Sequence, residues 1–526
     1  MRIAVAGGGP GGLFFATLIR RADPSVEVTV FERNRASDTF GFGVVFSDRT
    51  LAGIHEADPV LREALDEHGR HWEEIEVRLK GERIRCGGNG MTAVVRRTLL
   101  TLMQARAREV GARLQFSTEV LLDDLADYDL VVAADGAGSR IREQMEPQLG
   151  ARVETATAKF IWFGTDYLFD GLTFVHERSP DGAFAVHGYP ISDTMSTFIV
   201  ETDETAWRRA GLDEFDTTRP PGASDLVSKE YLEKLFADQI DGRQLLANNS
   251  RWGNFRTRRT RRWHALSPRP VALLGDAMHT AHFSVGSGTK MAMEDAIALS
   301  RALAGQPDDL AAALAAYEEA AQPAVRKIQD AARPSLAWWE HFGRYHDVFE
   351  PWQFAYHFLT RSISDARLAR RAPDFIAASH CAWGDEHGAE PLDTAFEHRG
   401  WTTSGRLVKV AADADGQPAA VRGTDDLPLA TAPGNGFWGA LIMAPDTEAE
   451  LPEAYTRLSE LVRLPETERP VLVAVHGGTD LTRLLLCEQA RMEAAIPALL
   501  IGTDTDHDVA LTTVLAGRAD LVGVLT

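Results

Sequence analysis

The chain opens on an apolar run, Arg2 to Ala6 (RIAVA), that reads as a buried strand. Gly7 to Gly12 (GGGPGG) makes a turn, Leu13 to Arg21 reads as a helix, and Val26 to Phe31 (VEVTVF) as a second strand. Together they predict a βαβ unit of about 30 residues. A helix is predicted over Val94–Val110, a short strand at Leu114–Phe116, and a strand at Tyr128–Ala134 leading into Asp135-Gly136. From Lys159 to Glu201 the pattern changes. Short apolar runs at Phe160–Thr165, Leu172–His176, Ala183–His187 and Thr197–Val200 alternate with turn residues, which predicts an antiparallel sheet inserted into the first domain. Val271–Leu274 predicts another strand, followed by helices from Ser287 to Leu303 and from Ala311 to Ala332. The aromatic residues between Trp338 and Phe358 lie among helix formers and predict a packed helical core.

Composition loosens from Gly388 to Gly436, which places a domain boundary near residue 385. Beyond it, buried strands at Gly439–Met443, Val471–Val475 and Ala498–Ile501 predict a small α/β module. The expected plan is an α/β (α+β) fold. Residues 1–158 and 263–384 form a dinucleotide-binding domain with a helical extension, and 159–262 form the inserted sheet, with 73–90 as a candidate addition. Residues 385–526 form the last module.

Composition narrows the function classes. With 44% hydrophobic and 25% charged residues in 526, the chain has a globular composition. A net charge of −21 argues against nucleic acid and anionic membranes as partners. No apolar run approaches the roughly 18 residues of a membrane span, and the N-terminus has no signal-peptide layout. Cys86, Cys381 and Cys487 have no metal-binding spacing. They fit a reducing cytoplasm, and no metal is expected.

Three segments carry the chemistry. In Gly7-x-Gly9-x-x-Gly12, the first glycine permits the turn, the second lets backbone approach a pyrophosphate, and the third lets helix and strand pack closely. The helix N-terminus offers N–H groups to the phosphates. Glu32, 20 residues past Gly12, can accept hydrogen bonds from ribose hydroxyls. The second segment is Asp135-Gly136-x-x-Ser139-x-x-Arg142. The third is Leu274-Gly275-Asp276, followed by Gly286-x-Gly288, where glycines allow close passage to a flat ring system.

These segments, in this order, resemble those of the single-component (group A) flavoprotein aromatic hydroxylases, whose fold is like that of 4-hydroxybenzoate hydroxylase. The resemblance implies FAD, held by Gly7, Gly9, Gly12, Glu32, Arg33, Val120, Asp276, Gly286 and Gly288. Arg96 matches the arginine that reaches the FAD pyrophosphate, with Arg97 as the alternative register. Over about residues 1–380, Phe160–Thr165, Ser192–Phe198 and Gly275–Ser284 resemble a subgroup that includes aryl-CoA hydroxylases and a violacein-pathway hydroxylase. That subgroup shares Phe283, where the wider family has proline.

The subgroup implies a monooxygenase using NADH or NADPH and O2 through a flavin C4a-hydroperoxide. The implied substrate is an aryl-CoA thioester, first salicylyl-CoA hydroxylated at C5 to gentisyl-CoA. 2-Aminobenzoyl-CoA at C5 and an indole or polyketide natural product are the alternatives. His282 is the candidate base that withdraws the phenolic proton, ahead of His279, His187 and His55. Phe283, Tyr189 and Trp162 are candidates to line the ring pocket. Arg256-x-Arg258-Arg259-x-Arg261-Arg262 is the densest basic run, and Arg256, Arg258 and Arg259 are candidate contacts for the CoA phosphates. The other reading of that run is a solvated basic strand. A monomer or homodimer is expected.

Ala498–Gly502 and Leu515–Leu521 resemble the end of an old-yellow-enzyme barrel, and Pro391–Gly400 its entry. About 140 residues are too few for the 200 or more of a typical barrel, so a truncated, structural remnant is expected. Gly517 and Arg518, the flavin-phosphate pair of an intact barrel, would then be a helix cap and a surface charge.

Overall fold

The structure is a computed structural model of the chain, and describes every residue except Phe40, 217–221, Ser287, 434–436, 503–505 and the side chain of Val285. The predicted helix start at Ser287 therefore lies outside the described residues. The chain divides into two compact units. One comprises Met1–Arg83 and Gly88–Gly343, the other Ile84–Gly87 and Arg344–Thr526.

The first unit contains β1 (Arg2–Ala6), α1 (Pro10–Ala22), β2 (Glu27–Phe31), β3 (Ile75–Leu79), α2 (Arg96–Glu109), β4 (Arg113–Gln115) and β5 (Leu130–Ala133). Next come β6 (Ala151–Thr165), β7 (Leu172–Ser179), β8 (Gly182–Pro190) and β9 (Ser196–Thr202). The unit continues with β10 (Leu245–Ala247), β11 (Gly253–Thr260), β12 (His264–Ala265), β13 (Val271–Leu273) and α3 (Gly288–Gly305). Its first sheet runs β12-β13-β5-β1-β2-β4. Every pair in it is parallel except β12–β13. β1, β2, β5 and β13 consist largely of Val, Ile, Leu and Ala because strands covered on both faces must be apolar throughout. Pro10 opens α1 at a position whose N–H would be unpaired in any helix.

The second sheet runs β10-β6-β9-β8-β7-β3 and ends on the strand Glu82–Cys86, with β11 paired along the N-terminal half of β6. β3 pairs parallel with β7, which brings part of segment 73–90 onto this sheet. The pleat sorts its side chains into two faces. Ile161, Phe163, Phe184, Val186, Phe198 and Val200 pack on one side with Leu232 and Phe236. Trp162, Tyr189 and Ile199 lie on the other, with Phe283 against them. His187 and Glu201 belong to that second face by the same alternation.

The predicted helix 311–332 extends further, as a helix over Leu310–Val348 that runs through Pro323 and Pro334. The aromatic stretch packs as expected: Trp339, Phe354, Tyr356 and Phe358 are fully buried. The unit boundary falls at 343/344, not near 385. Residues 351–387 are helical and tied to the later chain, as in the Asp365 N–H donating to Thr512 Oγ1 at 2.9 Å.

In the second unit, β14 (Leu407–Ala412), β15 (Pro418–Val421), β16 (Leu427–Ala430), β17 (Gly439–Met443) and β18 (Val473–His476) precede α4 (Asp480–Met492). β19 (Ala498–Gly502), α5 (His507–Leu515) and β20 (Leu521–Leu525) follow. The seven strands close into a barrel in that order, with β20 parallel to β14. The expected small barrel-like module is a closed barrel of seven strands. The barrel closes within so few residues because β14, β15 and β16 form an antiparallel meander, and hairpins need no crossover helix. Gly517, with φ 68°, follows α5, and an added Cβ would lie 2.7 Å from the Phe349 ring. Arg518 is buried, not a surface charge. Both residues precede β20, at its N-terminal end, whereas ligands of such barrels gather at the C-terminal ends of the strands.

Candidate functional site

The glycine turn is built for a close ligand. Gly7 sits at φ 108°, and a Cβ there would lie 2.2 Å from the Ala134 carbonyl oxygen, so no other residue fits. A Cβ on Gly9 would meet no atom within 4 Å, which marks open space where phosphate can approach the backbone. Glu32 stands at the end of β2. Its Oε2 accepts from the Gly8 N–H and its Oε1 from the Asn34 N–H, both at 2.8 Å. Oε1 also accepts from Asn34 Nδ2 at 2.8 Å, so Oε2 is the oxygen that keeps a further lone pair for a ribose hydroxyl. The cleft above is lined by Gly8, Gly9, Glu32, Asn34, Arg96 and Gln104, among others.

Arg96, the first residue of α2, faces this cleft, while Arg97 is exposed. That separates the two registers that the sequence left open. The Arg96 guanidinium makes no hydrogen bond or ion pair among the described residues. Burial lowers its pKa, with Asp276 and Tyr189 opposing the shift. A desolvated cation that no described residue contacts as an ion pair is suited to a pyrophosphate. Arg33 is exposed and Val120 packs against the core, so neither lines the cleft. Asn34 and Arg35 stand there instead.

Asp135 caps the helical turn after β5, accepting from the Arg140 N–H at 2.9 Å. Buried Arg142 and Arg258 clamp the third segment from below. Arg142 donates to the Ala277 carbonyl at 2.8 Å, and Arg258 to the Asp276 carbonyl at 3.2 Å. The Asp276 carboxyl keeps accessible surface, but enclosure by protein raises its pKa against the pull of His279, Arg96 and Arg258. Gly286, at φ 60°, ends the short 3-10 turn Phe283–Val285, and Gly288 opens α3. The turn, Arg96 and Asp276 therefore offer phosphate, ribose and ring contacts in the order that FAD requires, and the residues fit that cofactor.

Beside these segments lies an aromatic pocket. The Phe283 ring packs 5.1 Å from Phe160, 5.6 Å from Trp162 and 5.5 Å from His187. Trp162 Nε1 is a buried donor with no partner among the described residues. Tyr189 stacks on Trp72 and is buried, which pushes its phenol up to about 12.

The four candidate histidines separate. His55 is exposed on a surface helix. His279 is engaged with Asp295 at 2.8 Å; burial opposes its charging, but Asp295 and Asp276 outweigh burial and raise its pKa. His187 and His282 flank a buried carboxylate. Glu201 Oε1 is 2.7 Å from His187 Nε2, and its Oε2 is 3.4 Å from His282 Nε2. Burial alone would raise Glu201, yet the two imidazoles hold it down at about 2. Sequence reasoning missed Glu201. The available signal was an acid within a strand whose other positions are apolar or small, since an acid is rarely buried unpaired.

The arginine run does not form one phosphate surface. Alternation along β11 and local pairing divide it: Arg258 is buried beneath Asp276, Arg259 pairs with Asp330 at 3.1 Å, and Arg262 lies 3.8 Å from Glu318. Arg256 alone of the three candidates is exposed.

Comparisons with known proteins agree with this geometry. Residues 126–332 match the family model described as an FAD binding domain. A salicyloyl-CoA 5-hydroxylase from Streptomyces sp is 54% identical over 528 residues, covering 99% of each chain and so including the barrel unit. A 3-hydroxy-4-methyl-anthranilyl-[aryl-carrier protein] 5-monooxygenase from Streptosporangium sibiricum is 37% identical, covering 66% of this chain and 91% of its own. Among solved structures, p-nitrophenol 4-monooxygenase from Pseudomonas putida DLL-E4 shares the fold with a TM-score of 0.54 at 16% identity, covering 73% of this chain and 97% of that one. No described helix is long and apolar enough to cross a membrane. A chain with this cradle, this aromatic pocket and a full-length relative of such identity belongs to the FAD-dependent (group A) aromatic hydroxylase family.

Proposed function

We propose that this hydroxylase acts on an aryl-CoA thioester, salicyloyl-CoA at C5, consuming NADH or NADPH and O2. The observation that carries the reading is the 54% identity to a salicyloyl-CoA 5-hydroxylase across both units. Bound FAD supplies reduction and oxygen activation, and this chain's residues do the rest. Gly7 to Gly12, Glu32 and Arg96 hold the phosphates and ribose. Phe160, Trp162 and Phe283 wall the ring and exclude water. The unpartnered Trp162 Nε1 is a donor suited to an acceptor on the substrate. Arg256, exposed at the start of the basic run, is the arginine we assign to a CoA phosphate. The enzyme is taken to work in the cytoplasm as a monomer or homodimer.

A second reading is a 2-aminobenzoyl thioester, favoured by the relative whose named substrate is an anthranilyl group on a carrier protein. A panel of aryl-CoA thioesters, scored for NADH oxidation and for hydroxylated product by mass spectrometry, tests both. Gentisyl-CoA from salicyloyl-CoA is the expected result. NADH oxidation without hydroxylated product from any thioester would overturn the reading.

A further inference from the structure

His282 is 2% exposed, and both of its ring nitrogens are occupied within the protein. Nε2 faces Glu201 Oε2 at 3.4 Å. Nδ1 lies 2.8 Å from Ser284 Oγ, and the Ser284 backbone N–H points to it at 3.4 Å. A backbone N–H can only donate, so Nδ1 is the acceptor and the ring proton sits on Nε2, facing the carboxylate. Held in this way, His282 presents no free lone pair to a substrate. Ser284 differs from it. Its Oγ also lies 2.8 Å from the fully buried Ser335 Oγ, yet Ser284 keeps accessible surface. In the chain Glu201–His282–Ser284–Ser335, it is the one link open to a ligand.

We propose that Ser284 is the group that receives the substrate's ring-hydroxyl proton, and that His282, Glu201 and His187 form the buried relay that stores it. The proposal rests on the phenolic substrate reading above. The ring O–H bond breaks and its proton goes to Ser284 Oγ. The hydroxyl proton of Ser284 passes to His282 Nδ1, leaving a phenolate and an imidazolium. No electron moves in this step, and the proton returns by the reverse path when the product is reprotonated.

A new cation inside an aromatic wall is costly unless a counter-charge is already placed. Glu201 provides it, in the arrangement by which a carboxylate orients a catalytic imidazole. His187 holds the other carboxylate oxygen, and His282 and His187 together keep Glu201 ionised. Among the described residues, the titratable groups facing Glu201 are these two histidines. Phe160 on β6 and Ala185 on β8, opposite it in register, carry no charge. Trp339, from the helix Leu310–Val348, packs 4.4 Å from the His187 ring and separates it from His176. Ser284 is the catalytic residue in this scheme; His282, Glu201 and His187 act through it as positioning residues.

The test uses purified holoenzyme with salicyloyl-CoA and the variants Ser284→Ala, Ser284→Thr and Glu201→Gln. FAD content, NADH oxidation, hydroxylated product per NADH and the absorbance of bound phenolate are followed from pH 6 to 10. Ser284→Ala is expected to retain FAD and NADH oxidation. Its product yield per NADH should fall about tenfold or more near neutrality and recover as the phenol ionises unaided. Glu201→Gln should shift the same profile in the same direction, and Ser284→Thr should restore it. Wild-type yield and phenolate signal in Ser284→Ala, or a loss equal at every pH, would overturn the relay. No hydroxylated product from wild type with any phenolic thioester would instead overturn the substrate reading, and the relay with it.

Discussion

Arg96 in the first unit and Arg344 and Arg518 in the second are all desolvated, yet they are treated differently. Arg96 faces its cleft without an ion pair or hydrogen bond among the described residues. In the second unit, Arg344 reaches Glu488 Oε2 at 2.9 Å and Arg518 reaches Glu488 Oε1 at 4.0 Å. The same carboxylate accepts from the Tyr345 hydroxyl, and His357 Nε2 lies 3.1 Å from it. Arg518 also donates to the His357 carbonyl at 2.7 Å. The first arrangement leaves a charge for a ligand to satisfy. The second spends every charge on its neighbours, which supports a structural role for the barrel unit. Burial of charge therefore does not mark a site by itself; what marks it is burial without a partner.

The contrast can be broken most sharply at Glu488. Glu488→Leu leaves Arg344 and Arg518 buried without their shared counter-charge, and should cost about 3–5 kcal/mol in chemical denaturation. FAD content below the transition should stay at the wild-type level, and loss of FAD under native conditions would show that the barrel unit serves the cofactor.

His357 gives the next effect. Burial, with Arg518 and Arg344 nearby, pushes it down to about 4, so it is neutral in the folded chain when an ordinary histidine would already be charged. The unfolded chain then binds the extra proton between about pH 6.5 and 4, and stability falls as pH is lowered through that window. His357→Gln should flatten this slope by up to about 3 kcal/mol in unfolding measured at successive pH values. An identical slope in the variant would assign the pH dependence elsewhere.

At Arg96 the expected loss is of ligand, not of fold. Arg96→Ala should weaken FAD binding about 10- to 100-fold, the worth of one charge-assisted contact, with little change in the melting of apoprotein. Titration of apoprotein with FAD reads this directly. The smallest effect belongs to Arg259, whose pair with Asp330 is partly exposed. Arg259→Ala should change stability by under about 1 kcal/mol and leave the KM for the thioester within about twofold. A larger rise in KM would restore this arginine to CoA recognition.

Local pattern determined a large part of this molecule. The βαβ opening, the glycine turn, Glu32 and the alternating strands 160–200 are set by residues near one another in the chain, so periodicity and spacing reveal them. The meander at 407–430 was not legible. Its buried positions, among them Val408, Val410, Val421 and Leu427, fall in strands of four to six residues broken by Gly and Asp, too short to show a period. The sequence favoured Arg96 and kept Arg97 as the alternative register; the orientation of α2 against the glycine turn puts Arg96 at the cleft and leaves Arg97 exposed. The arginine run stayed open between phosphate contacts and a solvated strand because sequence does not show the acids, Asp330 and Glu318, that the fold brings beside it. Glu201, His282 and Ser284 come from a strand and a loop some eighty residues apart, so their meeting depends on how that loop packs on the sheet. The cofactor cradle was thus written in local sequence, because a helix start and its turn are local structures. The proton relay beside it was decided by tertiary packing, because a buried carboxylate acquires its partners only when distant segments close around it.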